Sequence, residues 1–325
     1  MKLALLTLPL CLFLVVLPVP AQESAPTPKP GPVFVSAGTI DHPPIDETSG
    51  IVKSRTYEDV YWVLNDSGGG PFLFAIDGKG KAILPPWQAR RFSVGPSEKG
   101  DGRTPWPGME LLVAANLDWE DMAIDGDTLY VADMGNNGNA RRDLGVYVLK
   151  EPNPRATERM RHLAWIPIAY PDQKKYPAEA WDFDCESLFV ADGKLYFLTK
   201  HRPAGQMRTP MPGTKLYRLD TRKLGEENVL TLVQSRKDMV WPLAADVSPD
   251  GSKLAVVCVN ALWVFDRPKS GDHWLSGSAR RVSIPLNIIR TQSEAVCWDD
   301  GKTIRVACEG RAIWRVDLAR LKPVE

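Results

Sequence analysis

Hydrophobic residues along the chain come in short runs that turn residues interrupt, and one three-part pattern of runs recurs five times. Each copy has a short strand that begins beside an acidic or hydroxyl residue, a second strand that ends in a polar loop, and a third strand that ends near Asp or Glu. The second strands are the clearest: DVYWVLN, TLYVAD, KLYFLTK, KLAVVCVN and TIRVACEG. Such repeats are typical of folds in which each unit buries its apolar face against its neighbours.

Turn signals separate the first and second strands of copies two to five, as DGD, ADGK, SPDGSK and DDGK. Asp, Asn and Gly reach the positive φ angles that tight hairpins need, so each copy is predicted to be an antiparallel meander. Fourth strands are predicted at residues 162–169, 229–234 and 281–286, with a weaker candidate at 111–115.

The fifth copy leaves no room for a fourth strand after Leu318. The N-terminal strand, Pro32 to Ile40, is predicted to supply it, which closes a ring and removes exposed sheet edges. The sequence therefore predicts an all-β fold, a five-bladed β-propeller formed by one domain over residues 33–325. The alternative of six blades needs a further blade in residues 85–107, whose Pro, Gly and charged residues favour a loop. A β-sandwich is disfavoured by the fivefold pattern.

The N-terminus has the pattern of a secretory signal peptide. Lys2 precedes an apolar run that ends in Val19-Pro20-Ala21, so we expect residues 1–21 to be cleaved and residues 22–32 to form a linker. A transmembrane anchor is the alternative, but about 17 apolar residues is at the short limit for spanning a bilayer. We expect a secreted or periplasmic protein with no membrane attachment after cleavage.

Composition limits the partners. The chain has 40 Lys and Arg residues and 40 Asp and Glu residues, so its formal net charge is zero and a nucleic-acid polymer is disfavoured as a ligand. We expect a monomer that binds a small anionic or polyhydroxy ligand. The cysteines that remain after cleavage are too sparse to form a disulfide framework, and buried free thiols are expected.

The starts of the five first strands are predicted to converge at one end of the central channel, here called the channel mouth. The residues at these positions are Ser49, Glu120, Glu186, Asp246 and Glu294. Carboxylates gathered in a narrow channel repel one another unless a cation neutralises them, and oxygen ligands favour Ca²⁺. We predict one calcium ion in the channel. The alternative is that the acids accept hydrogen bonds from backbone amides, or keep a proton, and hold the blades together.

The loops that follow the second strands reach the same face. We predict Asp66 or Asp133 as a general base, and a ligand-binding role for Asn65, Asn136, Asn137, Lys200, His201 and Arg202. Asn-Gly and Asp-Gly sequences are also ordinary turn formers, so these loops have a purely structural alternative.

The segments SGI, NDSGG, DWEDMAI, DMGNN, CESLF, TKHR, ADVSPDG and SEAVCW resemble an uncharacterised family of secreted bacterial β-propellers, from Ile45 to Asp317. The inner ring is more distantly similar to the calcium-activated nucleotidases (apyrases), five-bladed propellers with a channel calcium. That resemblance implies metal ligation by Ser49, Glu120, Glu186 and Glu294, with Asp246 at the position of an aspartate beside a liganding serine. Gly50 replaces a glutamate of that family, so the resemblance supports the ion more than nucleotide hydrolysis.

Two functions follow as expectations. The first is a calcium-binding propeller that hydrolyses a phosphoester or related ester with the help of the metal. The second, from a different class, is a non-catalytic ligand-binding or protein-binding propeller in which calcium is structural.

Overall fold

The computed structural model describes residues 31–96, 102–290 and 292–324. The predicted signal peptide, residues 1–21, and residues 22–30 of the predicted linker lie outside these ranges. In the described residues, no helix is long and apolar enough to cross a membrane.

The described residues form five antiparallel sheets, numbered here as blades 1 to 5, with four main strands each. From first to fourth strand, blade 1 contains Thr48–Lys53, Tyr61–Asn65, Phe72–Ile76 and Met109–Leu112. Blade 2 contains Trp119–Asp125, Thr128–Asp133, Gly145–Lys150 and Ala164–Ala169. Blade 3 contains Trp181–Ala191, Lys194–Arg202, Pro212–Leu219 and Thr231–Val240. Blade 4 contains Pro242–Val247, Lys253–Cys258, Ala261–Asp266 and Ala279–Ser283. Blade 5 contains Ser293–Trp298, Thr303–Cys308, Ala312–Asp317 and Phe34–Thr39.

Shorter elements fill the edges and inserts. The remaining strands are Ala82–Ile83, Phe92–Ser93, Thr104–Pro105, Arg159–Arg161, Asn228–Val229 and Lys322–Pro323. The helical turns are Pro86–Arg90, Leu286–Ile289, Trp274–Ser276 and Leu318–Arg320. The described part of the insert at 85–107 forms a short helical turn and a two-stranded pair instead of a sixth blade.

The five blades form a closed ring. Each first strand contacts the first strand of the next blade, and the first strand of blade 5 contacts that of blade 1. Phe34–Thr39 pairs antiparallel with Ala312–Asp317, so the N-terminal strand completes the last blade. The predicted fold and its closure by the N-terminal strand are both confirmed.

The core lies between the blades, because each sheet has an apolar face on both sides. The second strands are buried almost throughout, so their sequences are continuous apolar runs in which polar and apolar residues do not alternate. Tryptophans join neighbouring blades: the Trp62 indole donates to Glu151 at 2.8 Å, and the Trp298 indole donates to the Asp246 carbonyl oxygen at 3.0 Å. Cys185, Cys258 and Cys297 are buried free thiols, as expected, and Cys308 is also buried.

Candidate functional site

A β-bulge recurs at the same point in every blade. In each first strand one residue is inserted relative to the second strand, at or beside Ser49, Glu120, Glu186, Leu243 and Glu294. A bulge changes the direction of a side chain at the end of a ladder. Four of the predicted metal ligands therefore occupy equivalent bulge positions around the channel mouth, and blade 4 contributes a leucine there.

The structure separates Asp246 from this ring. It lies three residues beyond the bulge of blade 4, a distance of about 10 Å along an extended strand. Its carboxylate accepts a hydrogen bond from the Trp298 amide at 2.8 Å, and it lines a separate cavity of about 290 Å³ with Asp125 and Asp192. The sequence pattern aligns Asp246 with the acids of the other blades, but the position of the bulge decides which residue faces the mouth, and in blade 4 that residue is Leu243.

A second row of side chains lies two residues before each bulge: Glu47, Asp118, Asp184, Trp241 and Gln292. A third row lies near the ends of the second strands, at Asp66, Gly135, Lys200, Val259 and Glu309. Four of its amides donate to second-row carbonyls, and Lys200 pairs with Asp184 in the ladder. Asp118 and Asp184 were missed by sequence reasoning. Each lies two residues before a predicted metal ligand, Glu120 or Glu186. Because alternate residues of a strand share a face, this spacing indicates that the acid lies on the same side as the glutamate.

Glu120 is the centre of the acidic group at the mouth. Its carboxylate forms one set with Asp66 and Asp118 and another with Asp184 and Glu186, and within each set the ligand oxygens lie within 4.8 Å of one another. Glu120 is 3% exposed and Glu186 is 4% exposed. The Ser49 hydroxyl donates to the backbone carbonyl of Glu120 and lies 3.5 Å from its Oε2 atom.

Burial and mutual repulsion raise the pKa values of these acids. Desolvation and the neighbouring Glu186 and Asp66 raise the pKa of Glu120. Desolvation, with repulsion from Asp66 and Asp184, raises the pKa of Asp118 to about 6. Desolvation also raises the pKa of Glu294 to about 8, and this side chain hydrogen-bonds to Glu309. The group therefore favours bound protons or a bound cation.

Two predicted ligand-binding cations are already paired with acids. Lys200 Nζ lies 2.5 Å from Glu186 Oε1, and the Arg202 guanidinium pairs with Asp184. Both cations also stack on the Trp241 ring, at 5.2 Å and 5.1 Å from its centroid. Because the Arg202 side chain is only 1% exposed, it organises the site instead of presenting a free charge to an anion.

The two predicted general bases have different surroundings. Asp133 is 1% exposed, accepts hydrogen bonds from the Asp118 amide at 3.1 Å and from Arg141 at 2.9 Å, and so fixes the loop. Asp66 is half-buried and adjoins Asp118, and desolvation raises its pKa. Of the two predicted bases, Asp66 is the one that reaches the acidic group.

The predicted asparagines mainly shape the loops. Asn65 donates to the Pro44 carbonyl at 2.8 Å, and Asn136 accepts hydrogen bonds from the amides of residues 140 and 141. Asn137 bridges the two sides of the mouth, because it accepts from Arg202 at 3.0 Å and donates to Asp118 at 3.3 Å. Asn137 is therefore the one of these three whose side chain contacts the acidic group.

His201 faces away from Lys200 and Arg202, as alternation along a strand requires. Its ring lies beside Gly213, where a Cβ atom would be 2.3 Å from Nδ1, and it interacts electrostatically with Asp182 and Lys215. Burial lowers its pKa. The prediction that His201 joins the ligand-binding ring is not supported by its position.

Asp121 holds blades together by accepting hydrogen bonds from backbone amides, which is the structural role given above as the alternative to metal binding. It is fully buried and accepts hydrogen bonds from the amides of Met122, Leu188 and Ala245 at 2.8, 2.9 and 3.2 Å. These amides belong to blades 2, 3 and 4, so one carboxylate connects three first strands across the channel.

Gly135 brings the loop of blade 2 directly against the acidic group. A Cβ atom at this position would lie 2.3 Å from Glu120 Oε1 and 2.4 Å from Asp118 Oδ2. Such contacts are impossible without displacing the carboxylates, so the absence of a side chain at residue 135 is a condition for their arrangement.

No protein-family model and no curated protein matches the sequence. The chain is similar to many solved structures, and three of them each share 10% sequence identity with it. The major allergen Mala s 1 of Malassezia sympodialis has a TM-score of 0.45, with 89% of this chain and 96% of that chain covered. A Bacteroides thetaiotaomicron protein of unknown function has a TM-score of 0.39, with coverage of 84% and 69%. A streptogramin B lyase has a TM-score of 0.34, with coverage of 88% and 72%. The resemblances to the secreted bacterial family and to the apyrases stay predictions.

Proposed function

We propose that the chain is an exported propeller that binds one calcium ion at the channel mouth. The observation that carries this proposal is the Glu120 carboxylate, which is buried, belongs to two sets of converging acids, and forms no ion pair within the described residues. A buried carboxylate that forms no ion pair is costly unless it is protonated or binds a cation.

The spacing of the acids fits calcium. Two oxygens that bind one Ca²⁺ at about 2.4 Å lie at most about 4.8 Å apart. The oxygens of Asp66, Asp118 and Glu120 lie within 4.8 Å of one another, so these three residues would hold the ion. Hard carboxylate oxygens favour Ca²⁺ over softer transition metals.

A hydrolase activity is the second candidate function. The observation in its favour is the pair formed by Asp66 and Asp118, because a carboxylate that adjoins a cation site is placed to accept a proton from a water molecule there. Bound calcium would supply charge that polarises a phosphoester or related ester oxygen. Since Lys200 and Arg202 already pair with acids, a small anionic or polyhydroxy ligand would be held mainly by the cation and by Asn137.

Isothermal titration of chelator-treated protein with calcium tests the proposal. We expect one site in the wild type, loss of binding in Glu120→Gln, and unchanged binding in the matched control Asp246→Asn. Circular dichroism spectra confirm folding of both variants. Wild-type protein that binds no calcium contradicts the proposal. Turnover of a nucleotide, phytate and lactone panel that depends on calcium and is lost in Glu120→Gln supports the hydrolase over the binding module.

A further inference from the structure

Lys200 places a positive charge of the chain itself inside the acidic group. Its third-row position corresponds to Asp66 in blade 1 and Glu309 in blade 5, so two equivalent blades have an acid where blade 3 has a lysine. The ammonium lies 2.5 Å from Glu186 Oε1, and the side chain is only 12% exposed.

The lysine is held in this place from outside the acidic group. The Trp241 ring packs against both Lys200 and Arg202, and its indole donates to the His201 carbonyl oxygen at 2.7 Å. Trp241 itself has a φ angle of 46°, a left-handed conformation that is costly for a tryptophan. The ammonium is therefore part of a fixed arrangement, unlike a mobile surface lysine.

The two sets of acids around Glu120 differ in their counter-charge. In the set of Glu120, Asp184 and Glu186, two of the three carboxylates have a counter-charge, because Lys200 pairs with Glu186 and Arg202 pairs with Asp184. The set of Asp66, Asp118 and Glu120 has no such ion pair within the described residues. Because Glu120 belongs to both sets, a cation in one set repels a cation in the other.

We propose that Lys200 is a tethered cation that takes the place of a second metal ion between Glu120 and Glu186. This inference rests on the proposed calcium site. Lys200 thereby limits divalent-cation binding at the mouth to a single ion and weakens the affinity for that ion.

Lys200→Met tests the inference, because methionine keeps most of the length of the side chain and removes the charge. Lys215→Met is the matched control: Lys215 Nζ also contacts two carboxylates, at 2.7 Å from Asp172 and 2.8 Å from Asp182, and it also packs on an aromatic ring. Calcium titration by calorimetry and native mass spectrometry should give one ion for the wild type and for Lys215→Met. Lys200→Met should bind two ions, or one ion at least tenfold more tightly.

Failure of this inference is distinguishable from failure of the calcium site. One ion with unchanged affinity in Lys200→Met overturns the role of Lys200 and leaves the calcium site standing. No binding to the wild type but binding to Lys200→Met overturns calcium binding by the natural protein and supports the tethered cation. No binding to either overturns both. If Lys200→Met does not fold, Lys200→Gln is used in its place. Two calcium ions bound at the mouth of the wild type would also overturn the inference, and this outcome needs no variant.

Discussion

The acids of the channel mouth should make the metal-free protein less stable as the pH rises. In the folded chain the pKa of Glu294 is raised from 4.5 to about 8, mainly by desolvation. Between these values the folded state binds more protons than the unfolded state. The stabilisation from this group is therefore complete below pH 4.5 and is lost as the pH rises through 8.

The window from pH 6.5 to 8 isolates this effect. Burial lowers the pKa values of His42 and His201, so these histidines change stability in the opposite direction, but only below about pH 6.5. One pKa unit corresponds to about 1.4 kcal/mol, so Glu294 alone predicts a loss of roughly 2 kcal/mol in unfolding free energy from pH 6.5 to 8. The raised pKa values of Glu120 and Glu186 act in the same direction.

Urea unfolding at half-unit pH steps measures this loss directly. In EDTA, the wild type should lose stability across the window, and Glu294→Gln should show a smaller slope. With calcium at a hundredfold excess over its dissociation constant at pH 8, binding should add about 2.7 kcal/mol at that pH. It should add less at pH 6.5, where protons compete with calcium for the carboxylates, so the loss of stability across the window should be smaller. A free energy of unfolding in EDTA that stays constant or rises from pH 6.5 to 8 would show that the folded state does not raise the pKa values of these acids.

Three further predictions concern packing around the channel. Gly135→Ala should weaken calcium binding at least tenfold by calorimetry, because the added Cβ atom displaces the carboxylates of Glu120 and Asp118. Gly138→Ala is the control and should bind like the wild type, because the space around that position is open. Equal calcium affinities of the two variants would contradict the prediction. Asp121→Ala should lower the urea-derived stability by roughly 3 kcal/mol, since three buried amides lose their acceptor, while the exposed Asp127→Ala should change it little. Ellman's reagent should react with Cys185, Cys258 and Cys297 only after unfolding, and fast reaction of these thiols in the native protein would show that they are accessible.

The fold was predictable because its signal is repeated. Five similar second strands and the turn sequences between strands indicate a propeller even where a single strand is ambiguous. The last strand of blade 5 was predictable because too few residues follow Leu318 to form it, which left the N-terminal strand to complete the blade. The pairing of Phe34–Thr39 with Ala312–Asp317 confirms this prediction.

The site was only partly predictable because a one-residue bulge leaves no signature in the sequence. The alignment of acids placed Asp246 in the ring, whereas the bulge puts Leu243 at the equivalent position. The roles of Lys200 and Arg202 depend on which acids the neighbouring strand brings opposite them, and only the register of blade 3 provides this information. Asp121 differs from Glu120 by one position, yet it binds backbone amides instead of facing the other acids.

Anomalous X-ray diffraction from crystals grown in calcium tests the proposed ion most directly. We expect one anomalous peak bounded by Asp66, Asp118 and Glu120, with Lys200 still paired to Glu186. A mouth without a peak at saturating calcium, or a peak only in the separate cavity that Asp246 lines, would contradict the proposed calcium site.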